Sequence, residues 1–125
     1  MLGVSHSNQL ILVVDDDRDS AEALQALLGI LVPEVVVVLA FDGQEGAELA
    51  RLGPPHAVIL EIEMPTLDGW GAATRIRAEA AGTVPILIGV SGNSVRLSGA
   101  LRNGLIDHAF EKPIDAFKLV ELLTA

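Results

Sequence analysis

Five polar side chains in this sequence stand where apolar segments end, and their types are those of phosphate and metal chemistry. Asp15 and Asp16 follow the segment LILVV, Glu61 lies near the end of AVILEI, Ser91 follows ILIGV, and Lys112 closes HAFEK. If these segments are parallel strands, their carboxyl ends lie at one edge of a sheet. The sequence therefore predicts that the five side chains meet at that edge.

Each of these residues also has an ordinary structural interpretation. Asp17 or Asp19 could cap a helix, with the neighbouring aspartates favouring its dipole. Glu61 could be a strand end at the surface, Ser91 a turn residue, and Lys112 a solvated lysine. Taken together, however, adjacent carboxylates suit Mg²⁺ or Mn²⁺. A hydroxyl and an ammonium beside that metal could bind the oxygens of a transferring phosphoryl group.

The elements that must position these residues alternate between two patterns. Five apolar segments are continuous rather than alternating, which is typical of parallel strands covered on both faces. They are residues 10–14, 35–40, 57–62, 86–90 and 108–112. Amphipathic helical segments lie between and after them, the first with Asp19 and Glu22 spaced as a capping box and the fourth closed by Gly104. This alternation predicts an α/β fold, a (βα)₅ doubly wound parallel sheet.

Composition excludes several classes of function. The 125 residues suffice for one domain, with 1–8 expected to be an N-terminal tail and 9–125 a single domain. A net charge of −9 argues against direct nucleic-acid binding and against binding to anionic lipid. The chain has no cysteine, no segment resembling a signal peptide and no apolar run near the ~20 residues of a membrane span. A cytoplasmic protein is expected.

The order of these motifs resembles the receiver domain of two-component response regulators. The matching pieces are ILVVDDD, FDGQEGAELA, AVILEIEMPTLDGW, VPILIGVSG and FEKPID. The resemblance implies a flavodoxin-like fold with strand order 2-1-3-4-5 and an Mg²⁺ site. It implies that Asp15, Asp16 and the backbone carbonyl of Glu63 ligate the metal, that Ser91 binds phosphoryl oxygens and that Lys112 pairs with phosphate. It also implies a cis bond between Lys112 and Pro113.

Three departures from the family pattern bear on function. The family's phosphoacceptor is an aspartate, and Glu61 stands in its place. Counted from Pro85, the family's hydroxyl position falls on Val90, so that Ser91 comes one residue late unless a bulge at Gly89 absorbs the difference. Ala109 stands where the family often has an aromatic ring, and Phe110 is expected on the opposite face of the sheet.

The leading hypothesis is an atypical receiver that acts as a phosphorylation-independent protein-interaction module in two-component or phosphorelay signalling. Its expected partners are a histidine kinase, a phosphotransfer protein or a downstream effector, and the expected state is a monomer or weak dimer. One alternative is a working receiver that accepts phosphate on Glu61 or a neighbouring aspartate. A remote alternative is an Mg²⁺-dependent phosphatase, since residues 15–17 contain a DxD motif, although Asp19 occupies the place of its usual hydroxyl residue.

Overall fold

The computed structural model describes residues 9–64, 68–80, 82 and 84–125. Five strands alternate with five helices. The strands are β1 (Gln9–Val14), β2 (Val35–Ala40), β3 (Ala57–Glu61), β4 (Ile86–Ser91) and β5 (His108–Glu111). The helices are α1 (Arg18–Leu31), α2 (Gly43–Leu52), α3 (Gly69–Glu79), α4 (Ser94–Arg102) and α5 (Ala116–Thr124). The predicted tail, residues 1–8, lies outside the described residues.

The five strands form one parallel sheet in the order β2-β1-β3-β4-β5. This confirms the (βα)₅ flavodoxin-like prediction. The central strand, β3, is buried at all five positions, as expected for a strand covered by helices on both faces. All five carboxyl ends lie at the same edge, so the topology brings Asp15, Glu61 and Lys112, at the ends of β1, β3 and β5, to that edge.

Alternate residues of the strands point into two separate cores. Leu12, Val58 and Leu60 belong to a cluster with residues of α2, α3 and α4. Ile11, Ile59 and Val90 belong to a second cluster, with residues of α1 and α5. The side chain that closes each strand is therefore directed to one helical layer or the other by its position in the strand.

Helix starts follow the expected chemistry, with one correction. Asp42 caps α2 by accepting from the backbone N of Glu45, and Asp115 caps α5 by accepting from the backbone N of Phe117 and of Lys118. The capping box predicted at Asp19 and Glu22 is wrong. The cap of α1 is Asp17, whose extended backbone lets its carboxylate accept from Ser20 N, whereas Asp19 already lies within the helix.

The bulge at Gly89 that would bring Ser91 to the family's hydroxyl position is not formed. Strand β4 keeps a continuous register with both neighbours, from Ala57 opposite Ile86 to Ser91 opposite Glu111. The remaining sequence expectations for this part of the chain hold: Gly104 ends α4 with a φ of +73°, and the Lys112–Pro113 bond is cis. None of the helices in the described ranges is both long and apolar enough to cross a membrane.

Candidate functional site

The ends of β1, β3 and β5 meet at a surface cavity of about 540 Å³. Asp15 follows β1, Glu61 is the last residue of β3, and Lys112 follows β5, and all three line this cavity. The cavity opens on the side of α1 and α5, and apolar side chains form most of its wall: Val13, Val14, Ala23, Leu24, Ile59, Val90 and Ile114. The sequence prediction that these charged residues share one edge is therefore confirmed for Asp15, Glu61 and Lys112.

Glu61 is bound at both carboxylate oxygens. Oε1 forms an ion pair with Nζ of Lys112, and Oε2 accepts a hydrogen bond from the backbone N of Glu63 at 3.1 Å. The Glu61 side chain is 8% exposed, whereas the Lys112 side chain is 39% exposed. A nearly buried carboxylate is stable here because a cation and a backbone donor replace the water it loses.

The pKa values of two cavity residues reflect this arrangement. Burial lowers the pKa of the Lys112 ammonium, but its hydrogen bond and charge interaction with Glu61, helped by Asp15 and Asp16, outweigh burial, and the net pKa is raised. Burial raises the pKa of Asp15, and the charges of Glu61 and Asp16 add to that shift. The N–H of Asp17, 2.9 Å from Oδ1, and Lys112 oppose it only in part. With two carboxylates, Asp15 and Glu61, and one ammonium, Lys112, the lining of the cavity has a formal excess of negative charge.

This excess of negative charge bears on the predicted metal site. Asp15 and Asp16 are adjacent oxygen donors, and Mg²⁺ is commonly held by one or two carboxylates together with waters. A divalent cation would offset the burial and repulsion that raise the pKa of Asp15. Among the described residues, however, no group of three or more acidic, histidine or cysteine side chains converges as a metal site. The donor chemistry fits Mg²⁺, and ligation by Asp15, Asp16 and the Glu63 carbonyl stays a prediction.

The hydroxyl of Ser91 points to a different neighbour from the one expected. Ser91 is fully buried. Its Oγ donates to Oε1 of Glu63 at 3.3 Å, a long hydrogen bond, and accepts from the backbone N of Asn93 at 3.0 Å. The residue of β4 that lines the cavity with Glu61 and Lys112 is Val90. Binding of phosphoryl oxygens by Ser91 stays a prediction.

Two further residues lie at this edge, and no motif of the sequence singles them out for the site. Ser20, in the first turn of α1, lines the cavity, which depends on how α1 packs. Gly69, the first residue of α3, lies so close to the end of β3 that a Cβ there would be 2.2 Å from the Glu61 carbonyl oxygen and 2.6 Å from Ile62 Cα. Its N–H donates to the Ile62 carbonyl at 2.9 Å. Only glycine allows this approach, and it fixes the backbone that carries Glu61.

The residues around β5 lie as expected. Ala109 is exposed, and Phe110 packs against the core on the α1 and α5 side, so the aromatic ring is on the opposite sheet face from Ala109.

His56 accepts a hydrogen bond from the backbone N of Leu10 through Nδ1, at 2.9 Å. That contact ties β1 to the residue before β3, a structural role for this histidine.

Comparison with known proteins gives consistent results. The family model described as "Response regulator receiver domain" matches residues 11–124. The response regulator MprA of Mycolicibacterium vanbaalenii is 37% identical over 113 residues, which are 90% of this chain and 46% of that protein. The probable transcriptional regulator ycf27 of Cyanophora paradoxa is 34% identical over 89 residues, 71% of this chain and 36% of that protein. The chain thus spans less than half the length of these relatives.

Solved structures give the same fold. The response regulator receiver domain (CheY-like) from Methylobacillus flagellatus has a TM-score of 0.84 at 26% identity, covering 94% of this chain and 98% of that one. The signal receiver domain of a response regulator from Bermanella marisrubri has a TM-score of 0.81 at 28% identity, covering 94% and 97%. Nearly the whole chain is therefore shared with single receiver domains.

Proposed function

This chain belongs to the response regulator receiver domain family, and we propose that it works in two-component signalling without being phosphorylated. In this proposal Glu61 stands at the phosphoacceptor position. The domain then acts as a protein-interaction module whose site is held in one state by its own side chains.

The observation that carries the proposal is the pairing of Glu61. Both of its carboxylate oxygens are engaged, one by Lys112 and the other by the backbone N of Glu63. A nucleophilic carboxylate needs a free oxygen aimed at the incoming phosphorus, and a lysine that binds the transferring group must be free to move to it. Here the ion pair has to open before Lys112 is free to bind that group.

The length of the side chain adds a second obstacle. Glutamate has one methylene more than aspartate, which displaces the carboxylate by roughly 1 Å, and an error of that size can slow a positioned reaction by about 10²-fold. With this longer side chain, Glu61 at the end of β3 contacts Lys112, which follows β5 two strands away. Glutamate at this position therefore displaces the nucleophile, and its carboxylate is paired with Lys112.

Interaction with other proteins is proposed for the surface of α4, β5 and α5. Large apolar side chains are exposed there, with Val95 77%, Leu101 44% and Phe117 79% exposed. The partner would be a histidine kinase, a phosphotransfer protein or an effector, since the curated relatives are response and transcriptional regulators. With Glu61 and Lys112 already paired, binding at this surface would not depend on a phosphodonor.

The proposal is tested by removing one methylene from the side chain at position 61. Wild type and Glu61→Asp are incubated with Mg²⁺ and acetyl phosphate, and the added mass is measured on the intact proteins. We expect one phosphoryl group on the variant and none on the wild type. The double variant Glu61→Asp with Asp15→Asn is the matched control. It should lose the label if Asp15 helps to hold Mg²⁺.

Labelling of the wild type at Glu61, located by peptide mapping, would refute the proposal and favour a working receiver. Label on Asp15 or Asp16 of the wild type would refute it equally. Turnover of a generic phosphomonoester by the wild type would point instead to a phosphatase.

A further inference from the structure

The side chains that follow each other at the end of β4 face opposite sides of the sheet. Val90 lies opposite Glu61 on one side and Phe110 on the other, and in parallel strands such partners point to the same face. Val90 accordingly packs in the α1 and α5 core and lines the cavity together with Glu61 and Lys112. Ser91, one residue later, lies opposite Glu111 and turns away from that face.

Because the register of β4 is continuous, Val90 and Ser91 are fixed on opposite faces of the sheet. A bulge would shift the strand by one residue and bring Ser91 to the cavity, but β4 is regular from Ile86 to Ser91. Gly89 also occupies a crowded position in that regular strand, since a Cβ there would lie 2.6 Å from Cδ1 of Ile106.

Ser91 instead joins two loops. Its Oγ accepts from the backbone N of Asn93, the N-cap of α4, and donates to the side chain of Glu63 in the segment that follows β3. Next to this contact, the backbone N of Ile62 donates to the carbonyl of Val90 at 2.9 Å. The hydroxyl is thus part of the connection between the loops after β3 and β4.

We infer that Val90 occupies the place in this cavity where a β4 hydroxyl would bind a phosphoryl oxygen, and that the Ser91 side chain instead connects the loops after β3 and β4 by hydrogen bonds. This deepens the proposed function and rests on it. The site then departs from phosphotransfer chemistry at two independent positions: a carboxylate one methylene too long and a methyl group in the place of a hydrogen-bond donor. Restoring Asp at 61 repairs only the first of them.

The test compares initial rates of labelling by acetyl phosphate and Mg²⁺ in the Glu61→Asp background. Adding Val90→Thr, which keeps the β-branched shape and supplies a hydroxyl, is expected to raise the rate about tenfold or more, since one donor to a developing charge can be worth 10²-fold. Adding Val36→Thr, the same exchange at an exposed position of β2, should leave the rate unchanged. Adding Ser91→Ala should change the labelling rate by less than about threefold. It should lower the melting temperature, because the hydrogen bonds of Ser91 to Glu63 and Asn93 are lost.

Two results would overturn the inference. The first is no gain in the labelling rate on adding Val90→Thr, whether or not Glu61→Asp is itself labelled. The second is a tenfold or greater loss of labelling rate on adding Ser91→Ala, in a protein whose circular dichroism is that of the parent. Failure of the proposed function is a separate result, since it appears as label on the wild type.

Discussion

Replacing Lys112 with Met tests the energetics of the Glu61–Lys112 ion pair. The variant removes the cation from a carboxylate whose side chain is 8% exposed and which lies near the charge of Asp15. Breaking a fully buried pair costs about 3–5 kcal/mol, whereas an exposed pair contributes about 0–1 kcal/mol. Because the Lys112 side chain is 39% exposed, this pair falls between the two cases. We expect the free energy of unfolding to fall by about 1–3 kcal/mol.

The reciprocal substitution should cost less. Glu61→Gln keeps an oxygen that can accept from Glu63 N, and it leaves a lysine that water can reach. Its cost should stay below about 1 kcal/mol, and the double variant with Lys112→Met should be close to Glu61→Gln alone, because the uncompensated carboxylate is then gone. The asymmetry between the two single variants follows directly from the difference in exposure.

Urea unfolding at neutral pH, extrapolated linearly to water, measures these differences. Lys118→Met on α5, which replaces an exposed lysine, is the matched control. The reasoning is wrong if Lys112→Met and Lys118→Met differ by less than about 0.5 kcal/mol, the range of ordinary surface substitutions, or if the double variant shows the simple sum of the two single effects.

The pH dependence of the same pair has a definite sign. The pKa of Lys112 is raised in the folded protein above the ordinary value of 10.5. The folded state therefore holds this proton more tightly than the unfolded chain does. The stabilisation is fully present below the unfolded pKa and is lost as pH rises through the folded one. The stability difference between wild type and Lys112→Met should stay constant from neutral pH to about pH 10 and shrink above it.

Two further substitutions test the surroundings of the site. Gly69→Ala should lower the free energy of unfolding by about 3 kcal/mol or more, since its Cβ would meet backbone atoms of Glu61 and Ile62. The control is Gly29→Ala in α1, which has nothing within 4 Å of the new Cβ and should stabilise the protein by about 0.5–1 kcal/mol. Equal effects of the two substitutions would contradict the close approach at Gly69. Asp15→Asn should raise the melting temperature at pH 7, because burial raises the pKa of Asp15 and its charged form is disfavoured in the folded state. That gain should vanish as pH falls below 3.8, where the carboxyl is protonated in the unfolded chain as well, and a gain that persists there would argue against the burial effect.

Most of the architecture follows from local sequence patterns. Continuous Val- and Ile-rich segments indicated buried parallel strands, and Gly104 located the end of α4. Errors arose where neighbouring residues compete for one role. Three adjacent aspartates and Asp19 could each cap α1, and the choice of Asp17 depends on where the chain turns out of β1. The strand order came from the family resemblance, since a pattern of strands and helices does not specify which strands pair.

By itself, the sequence determined that carboxylates and a lysine stand at the ends of predicted strands, and hence that a parallel sheet brings them to one edge. Only the tertiary structure decided which of them touch. The Glu61–Lys112 pair depends on the spacing across β4, and the closeness of Gly69 depends on how α3 packs on β3. The assignment of Val90 rather than Ser91 to the cavity depends on strand register, because a shift of one residue turns every side chain to the other face. Residue types are local properties, whereas facing and contact are set by the pairing of distant segments.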